Sequence, residues 1–211
     1  MTQQQFYDDY WLKRGKSKGL RLRYKLFLDW IQPNSRVLDI GGGDGHLGEI
    51  LKNGKNCDVT VLDISEEAVK ICQERGVKAV AGDIEKKILF NDDTFDVVIL
   101  SDVLEHIVES EEAILEALRV SKSSIFVSFP NTGYLKYRIQ LLFGRFPNQK
   151  FIHAKEHLRF WTVRDFKEML DNLNIEIVQI KSSAGKFLLR DLWPSLLAGQ
   201  LCLELKKSNK Q

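Results

Sequence analysis

Three cysteines, at positions 57, 72 and 202, stand far apart and without a Cys-x-x-Cys spacing. That excludes a disulfide framework, and buried free thiols in a reducing compartment are the economical reading. Only four prolines occur, and no proline-, glycine- or serine-rich tract divides the 211 residues, 44% of them hydrophobic. One domain with one sizeable core follows. Apolar runs such as residues 97–100 are far too short to span a bilayer. Met1-Thr2-Gln3-Gln4-Gln5 lacks the basic start and apolar stretch of a secretory leader, so a cytoplasmic location is expected. Repeats are absent, and the net charge is only +2.

What is present begins at Val37-Leu38-Asp39-Ile40-Gly41-Gly42-Gly43-Asp44-Gly45, an apolar run that passes through an acid into a glycine turn, with a helix expected from His46. Glycines at 41, 43 and 45 let a ligand approach the backbone. Two registers compete. Read from Gly43, the loop satisfies G-x-G-x-x-G, the dinucleotide pattern, but starts three residues beyond the strand. Read from Gly41, it is G-x-G-x-G, with Asp39 closing the strand and Asp44 inside the turn. Carboxylates there repel a pyrophosphate and suit the sulfonium and ammonium of S-adenosylmethionine.

More acids close the following strands. Residues 59–62 end at Asp63, residues 77–81 at Gly82-Asp83-Ile84, and residues 95–100 at Ser101-Asp102. A helix is expected over residues 66–75, capped by Ser65, with Ala68, Val69, Ile71 and Cys72 on its apolar face. Strand and helix in alternation describe a parallel sheet, whose ligands lie beyond the carboxyl ends of its strands. Asp63 there suits two ribose hydroxyls and Asp83 the adenine amine. Any one of these acids alone is more simply a cap or a turn residue.

Together these motifs resemble the class I S-adenosylmethionine-dependent methyltransferases. Ser101-Asp102-Val103-Leu104-Glu105-His106-Ile107 is similar to the strand-four stretch of small-molecule O- and C-methyltransferases, notably those of ubiquinone biosynthesis. Phe129-Pro130-Asn131-Thr132-Gly133, Arg138 to Pro147, His157-Leu158, Asp165-Phe166 and Trp193-Pro194 to Gln200 resemble the MetW group, named for methionine biosynthesis, with the likeness running from about Asn34 to Leu205. The resemblance implies an α/β, Rossmann-like fold with a seven-stranded, mostly parallel sheet flanked by helices, its last strand antiparallel. It implies a helical arm at 1–33, a methyltransferase domain at 34–211, and a substrate cover at about 131–161. For S-adenosylmethionine it implies contacts from Asp39, Gly41, Gly43 and Gly45, from Asp63 and Ile64, and from Asp83, Ile84 and Ser101. His106, Asp102 and Glu105 become the catalytic candidates, with His106 as general base. A homoserine acetyltransferase-type partner is also implied, which keeps a second reading open: a cofactor-binding regulator that methylates nothing.

Charge is unevenly spread. Lys13, Arg14, Lys16, Lys18, Arg21, Arg23 and Lys25 run without an acid behind Phe6, Tyr7, Tyr10 and Trp11. Two amphipathic helices, with Leu20, Tyr24, Phe27, Leu28 and Ile31 toward the sheet, explain this better than a nucleic-acid grip. In the resemblance the arm closes over the cofactor, bringing Tyr10, Trp11 and Arg23 to it. Arg145, Lys150, Lys155, Arg159 and Arg164 make the cover cationic, which suits a small anionic acceptor and equally an ordinary solvated face. His153 and His157 stand at i,i+4, as do Asp102 and His106, yet neither pair has a third ligand nearby in sequence, so no metal site is expected.

Overall fold

A computed structural model describes residues 2–86, 88–147, 157–185 and 190–208. The strands are β1 (Arg36–Ile40), β2 (Asp58–Asp63), β3 (Lys78–Ala81), β4 (Phe95–Ser101), β5 (Ser121–Pro130), β6 (Ile175–Gly185) and β7 (Ala198–Lys207). They form one seven-stranded sheet in the order β3-β2-β1-β4-β5-β7-β6. The first five run parallel, and β7 pairs antiparallel with both β5 and β6. From β1 the chain winds outward to β2 and β3, then returns to β4 and winds the other way. The strand order therefore reverses between β1 and β4, where a crevice opens beyond their carboxyl ends.

The helices are α1 (Gln3–Arg14), α2 (Leu22–Trp30), α3 (His46–Lys55), α4 (Glu66–Glu74), α5 (Ser110–Val120), α6 (Leu135–Leu142), α7 (Val163–Asn172) and α8 (Pro194–Leu197). Ser65 caps α4 by accepting from Ala68 N, and Thr162 and Asp165 complete a reciprocal capping box on α7. Successive strand residues point to opposite faces, which splits the core in two. Leu38, Ile40, Val98 and Leu100 pack with Ile114 of α5 and Phe166 of α7. Val37, Val61, Val97 and Ile99 pack on the other face with Phe27 of α2 and Leu47 and Leu51 of α3. The same alternation turns Asp39 toward this second face, beside Val37.

Of the arm, α2 packs on the sheet: Phe27 and Ile31 are buried, and Tyr24 and Leu28 partly so, whereas Leu20 stays exposed. Phe27 lies 6.1 Å, ring to ring, from both Trp30 and Phe126. Phe27→Ala should lower stability by about 3–5 kcal/mol, a cost checked by denaturant unfolding. Unchanged unfolding would mean that α2 does not belong to the core. By contrast α1 has no buried residue, although Phe6, Tyr7, Tyr10 and Trp11 share one of its faces. It lies across the strand ends, where Asp8 accepts from Ser65 Oγ at 2.6 Å.

All three cysteines are buried and free. The excursion after β5 is closed at its base by a bridge between Asn131 and Trp161. Asn131, fully buried, donates to the carbonyls of Pro194, Ser195 and Ala198 and so ties this base to α8 and β7. Lys150, His153, Lys155 and Glu156 lie outside the described residues. Among the described residues, no helix is long and apolar enough to cross a membrane.

Candidate functional site

A cavity of about 730 Å³ occupies the crevice between β1 and β4. That size lies in the range of small-molecule pockets. Its floor is the turn after β1. Gly43 adopts φ +57°, and a Cβ built there would stand 2.4 Å from the Trp11 ring. Gly43 N donates to Asp63 Oδ2 at 2.8 Å, and Ser65 N to Asp63 Oδ1 at 2.9 Å. The carboxylate at the end of β2 thus holds the glycine turn in shape. Burial raises the Asp63 pKa, and these backbone bonds oppose the rise. Gly41, Gly43, Asp63, Ile64, Asp83, Ile84 and Ser101 all line the cavity, as do Tyr10, Trp11 and Arg23 of the arm.

Two of the expected cofactor residues do not reach it. Gly45 serves as the left-handed cap of α3, backed by Cys72. Asp39 is 1% exposed, with neither carboxylate oxygen hydrogen-bonded. Burial, then the charges of Asp63 and Asp44, lifts its pKa to about 7 against the pull of Arg23. Asp44 itself needs a different account from the one its sequence position invites. Arg75 Nη2 pairs with it at 2.6 Å, so its charge is compensated and the repulsion of phosphate rests on Asp63, which lines the cavity.

Asp39 makes the cofactor-free fold pH-dependent. Because the folded chain retains a proton that the unfolded chain gives up near 3.8, the ordinary aspartate value, stability is full below that pH and is lost as pH rises toward about 7. The loss is on the order of 4 kcal/mol at about 1.4 kcal/mol per pKa unit. Asp39→Asn should flatten this slope and melt above the wild-type chain at about pH 8, in melting curves taken across the range. Parallel curves for the two proteins would contradict it.

On the other side of the cavity stands the turn after β4. Asp102, at φ +57°, has its carboxylate fully engaged. Arg23 Nη2 lies 3.0 Å from Oδ2, while Ser128 Oγ and Gln200 Nε2 donate to Oδ1 at 2.7 and 2.6 Å. With so many donors Asp102 acts as a brace that locks α2, β5 and β7 around the turn, rather than as a proton acceptor. Glu105, in a short 3-10 helix over Leu104–His106, is 2% exposed with Oε2 unpartnered. Burial first, and the Asp102 charge second, push its pKa well above the usual range. Its backbone carbonyl accepts from Leu158 N at 2.7 Å and Arg159 N at 3.2 Å. This brings the His157 ring to 4.7 Å from that of His106, edge to face. Burial and then the His106 charge lower the His157 pKa to about 4. The Tyr7 ring contacts His106 from α1.

Three parts of this site carry no local signal in the sequence. Gln200 and Ser128 reach Asp102 from distant strands, and His157 joins Glu105 and His106 through the fold, not through its spacing from His153.

The family model described as "Methionine biosynthesis protein MetW" matches residues 21–203, and so takes in α2 ahead of Asn34. A ubiquinone/menaquinone biosynthesis C-methyltransferase UbiE of Ectopseudomonas mendocina is 34% identical over 118 residues, 50% of this chain and 46% of the relative. A bifunctional methionine biosynthesis protein MetXA/MetW of Rhodopirellula baltica is 29% identical over 165 residues, 71% of this chain and 26% of the relative. The chain thus spans half or less of the length of these two curated relatives. Among solved structures, magnesium protoporphyrin IX methyltransferase ChlM of Synechocystis with bound SAH superposes with a TM-score of 0.69 at 17% identity, covering 97% of this chain and 98% of that one. At that identity the likeness shows the fold alone.

Proposed function

The chain belongs to the MetW family, with a class I methyltransferase fold, and from that premise we propose that it binds S-adenosylmethionine and methylates a small acceptor. One observation carries the reading. A single cavity at the switch point joins the Asp63-held glycine turn to the Asp102-Glu105-His106 turn.

The donor set fits the cofactor. The glycine turn has no Cβ to keep a ligand off its backbone, and Asp63 and Asp83, both lining the cavity, leave an acidic wall that suits a sulfonium and an ammonium group. Asp63 would take the ribose hydroxyls, and Asp83 and Ile84 the adenine, with Ile64 beside them. Gly41, Gly43 and Ser101 would hold the methionine portion. When bound, the cofactor supplies an already activated methyl group. The chain's own work is to align the acceptor and exclude water, which is worth about 7–11 kcal/mol. Trp11 over Gly43 and Tyr7 against His106 make α1 the element that excludes water. Asp102 holds the turn, and His106 is the group placed to take the acceptor's proton.

Lys136 and Arg21 line the same cavity and favour a small anionic acceptor, such as a carboxylate or a phosphate ester. Incubating the chain with radiolabelled S-adenosylmethionine and panels of small carboxylates, phenols and phosphorylated metabolites tests this reading. Label transferred preferentially to anionic acceptors is the expected result.

The fused MetXA/MetW relative supports a second reading, in which the chain binds a homoserine acetyltransferase-type partner and regulates it. The open space beside Glu105 and His106 favours catalysis, since a purely regulatory chain has no need of it. Absence of transfer to every acceptor, together with cofactor-dependent capture of such a partner, would overturn the catalytic reading.

A further inference from the structure

We propose that Glu105, His106 and His157 form a binding site for one divalent transition-metal ion, zinc being the best match. One ligand atom from each of the three lies within 4.8 Å of those of the other two. Around a tetrahedral zinc with bonds of about 2.0–2.1 Å, ligand atoms stand ~3.4 Å apart, so small side-chain rotations close the set. Two imidazoles and one carboxylate with a fourth position open is a ligand set that zinc uses in catalytic sites.

Three features of the fold prepare this site. The Glu105 carboxylate is buried, with Oε2 lacking a hydrogen-bond partner. Leaving it so costs free energy that an adjacent cation recovers. The bonds from Leu158 N and Arg159 N to the Glu105 carbonyl staple the His157 segment to the turn, so the ligands are held before any ion arrives. Asp102, the nearest other acid, already has Arg23, Ser128 and Gln200 as partners and does not compete for the ion. All three ligands line the cavity, which leaves the fourth position open to water or acceptor.

Metal binding stands on this geometry alone; only the role given to the ion rests on the methyl-transfer reading. In the loaded chain His106 is a ligand, and the proton-accepting role passes to a zinc-bound hydroxide. Where the nucleophile is a hydroxyl carried by the anionic acceptor, its O–H gives its proton to that hydroxide, forming water. The acceptor oxygen then bonds to the methyl carbon as the carbon–sulfur bond breaks, its electron pair neutralising the sulfonium. No oxidant or further reactant is required.

The test uses the untagged full chain, freed of metal by chelation. Zinc content after equilibrium dialysis and the visible absorption of the cobalt(II)-substituted protein are measured for wild type, Glu105→Gln and His157→Ala. The expected result is about one zinc per chain, tetrahedral cobalt bands, and affinity at least tenfold weaker in both variants. Melting curves of the metal-free proteins establish that each variant is folded, and His157→Gln supplies a second substitution at the loop position. Less than about one-tenth of an equivalent of zinc in wild type, or equal zinc in wild type and the folded variants, overturns the site. Binding of S-adenosylhomocysteine to the metal-free chain, followed in parallel, separates that failure from a failure of the cofactor reading.

Discussion

Gly43→Val is expected to abolish binding of S-adenosylmethionine while leaving cooperative melting in place. At φ +57° an L side chain costs about 1–2 kcal/mol, and the new Cβ would meet the Trp11 ring at 2.4 Å. The branched side chain would also fill the surface along which the methionine portion is proposed to pass. Affinity should fall by at least a hundredfold, about 2.7 kcal/mol, in a calorimetric titration. The strain should lower the melting temperature by only a few degrees. Gly54→Ala, whose Cβ would meet Leu28 at an ordinary 3.5 Å inside α3, is the control and should bind normally. Retained affinity in Gly43→Val would mean that the glycine turn is not the cofactor cradle.

Much of the frame behind this expectation is written locally. β2 and β4 are apolar runs that stop at a polar residue, Asp63 and Ser101, and the carboxyl ends of parallel strands put both at the edge of the crevice. Ser65 and Thr162 cap their helices through contacts no more than three residues long, so their positions are readable from sequence alone. α5 is harder to read. Ala113, Ile114, Ala117 and Leu118 form a buried stripe, but the helix passes into β5 at Ser121 with no glycine or proline between them. The strand order has no local cause either, since it depends on which faces the helices cover.

Inside the site the division is similar. The acids at strand ends declare themselves, but their electrostatic state does not. Asp44 looks like an exposed charge in a turn until Arg75 arrives from the end of α4, and Asp39 looks like a cofactor ligand until the pleat turns it into the core. Asp102 reads as a catalytic acid, yet Arg23, Ser128 and Gln200 converge on it from three separate elements. Long-range convergence of this kind has no spacing rule.

His106→Ala is the substitution expected to affect turnover most. It should leave affinity for the cofactor within about twofold and lower kcat about a hundredfold or more, the usual contribution of a proton-transfer group. The same direction holds whether the imidazole takes the proton itself or holds the ion that does. A rise in KM with kcat preserved would reassign His106 to acceptor binding. Turnover equal to wild type would remove the Glu105-His106 turn from the chemistry altogether.

The central claim is that the crevice between β1 and β4 holds S-adenosylmethionine. Calorimetric titration of the purified chain with S-adenosylhomocysteine, and separately with NAD, tests it most directly. The account predicts saturable one-to-one binding of S-adenosylhomocysteine, weakened at least tenfold by Asp63→Ala, and no measurable heat with NAD. Binding of NAD with equal or greater affinity, or S-adenosylhomocysteine affinity unchanged in Asp63→Ala, would contradict it.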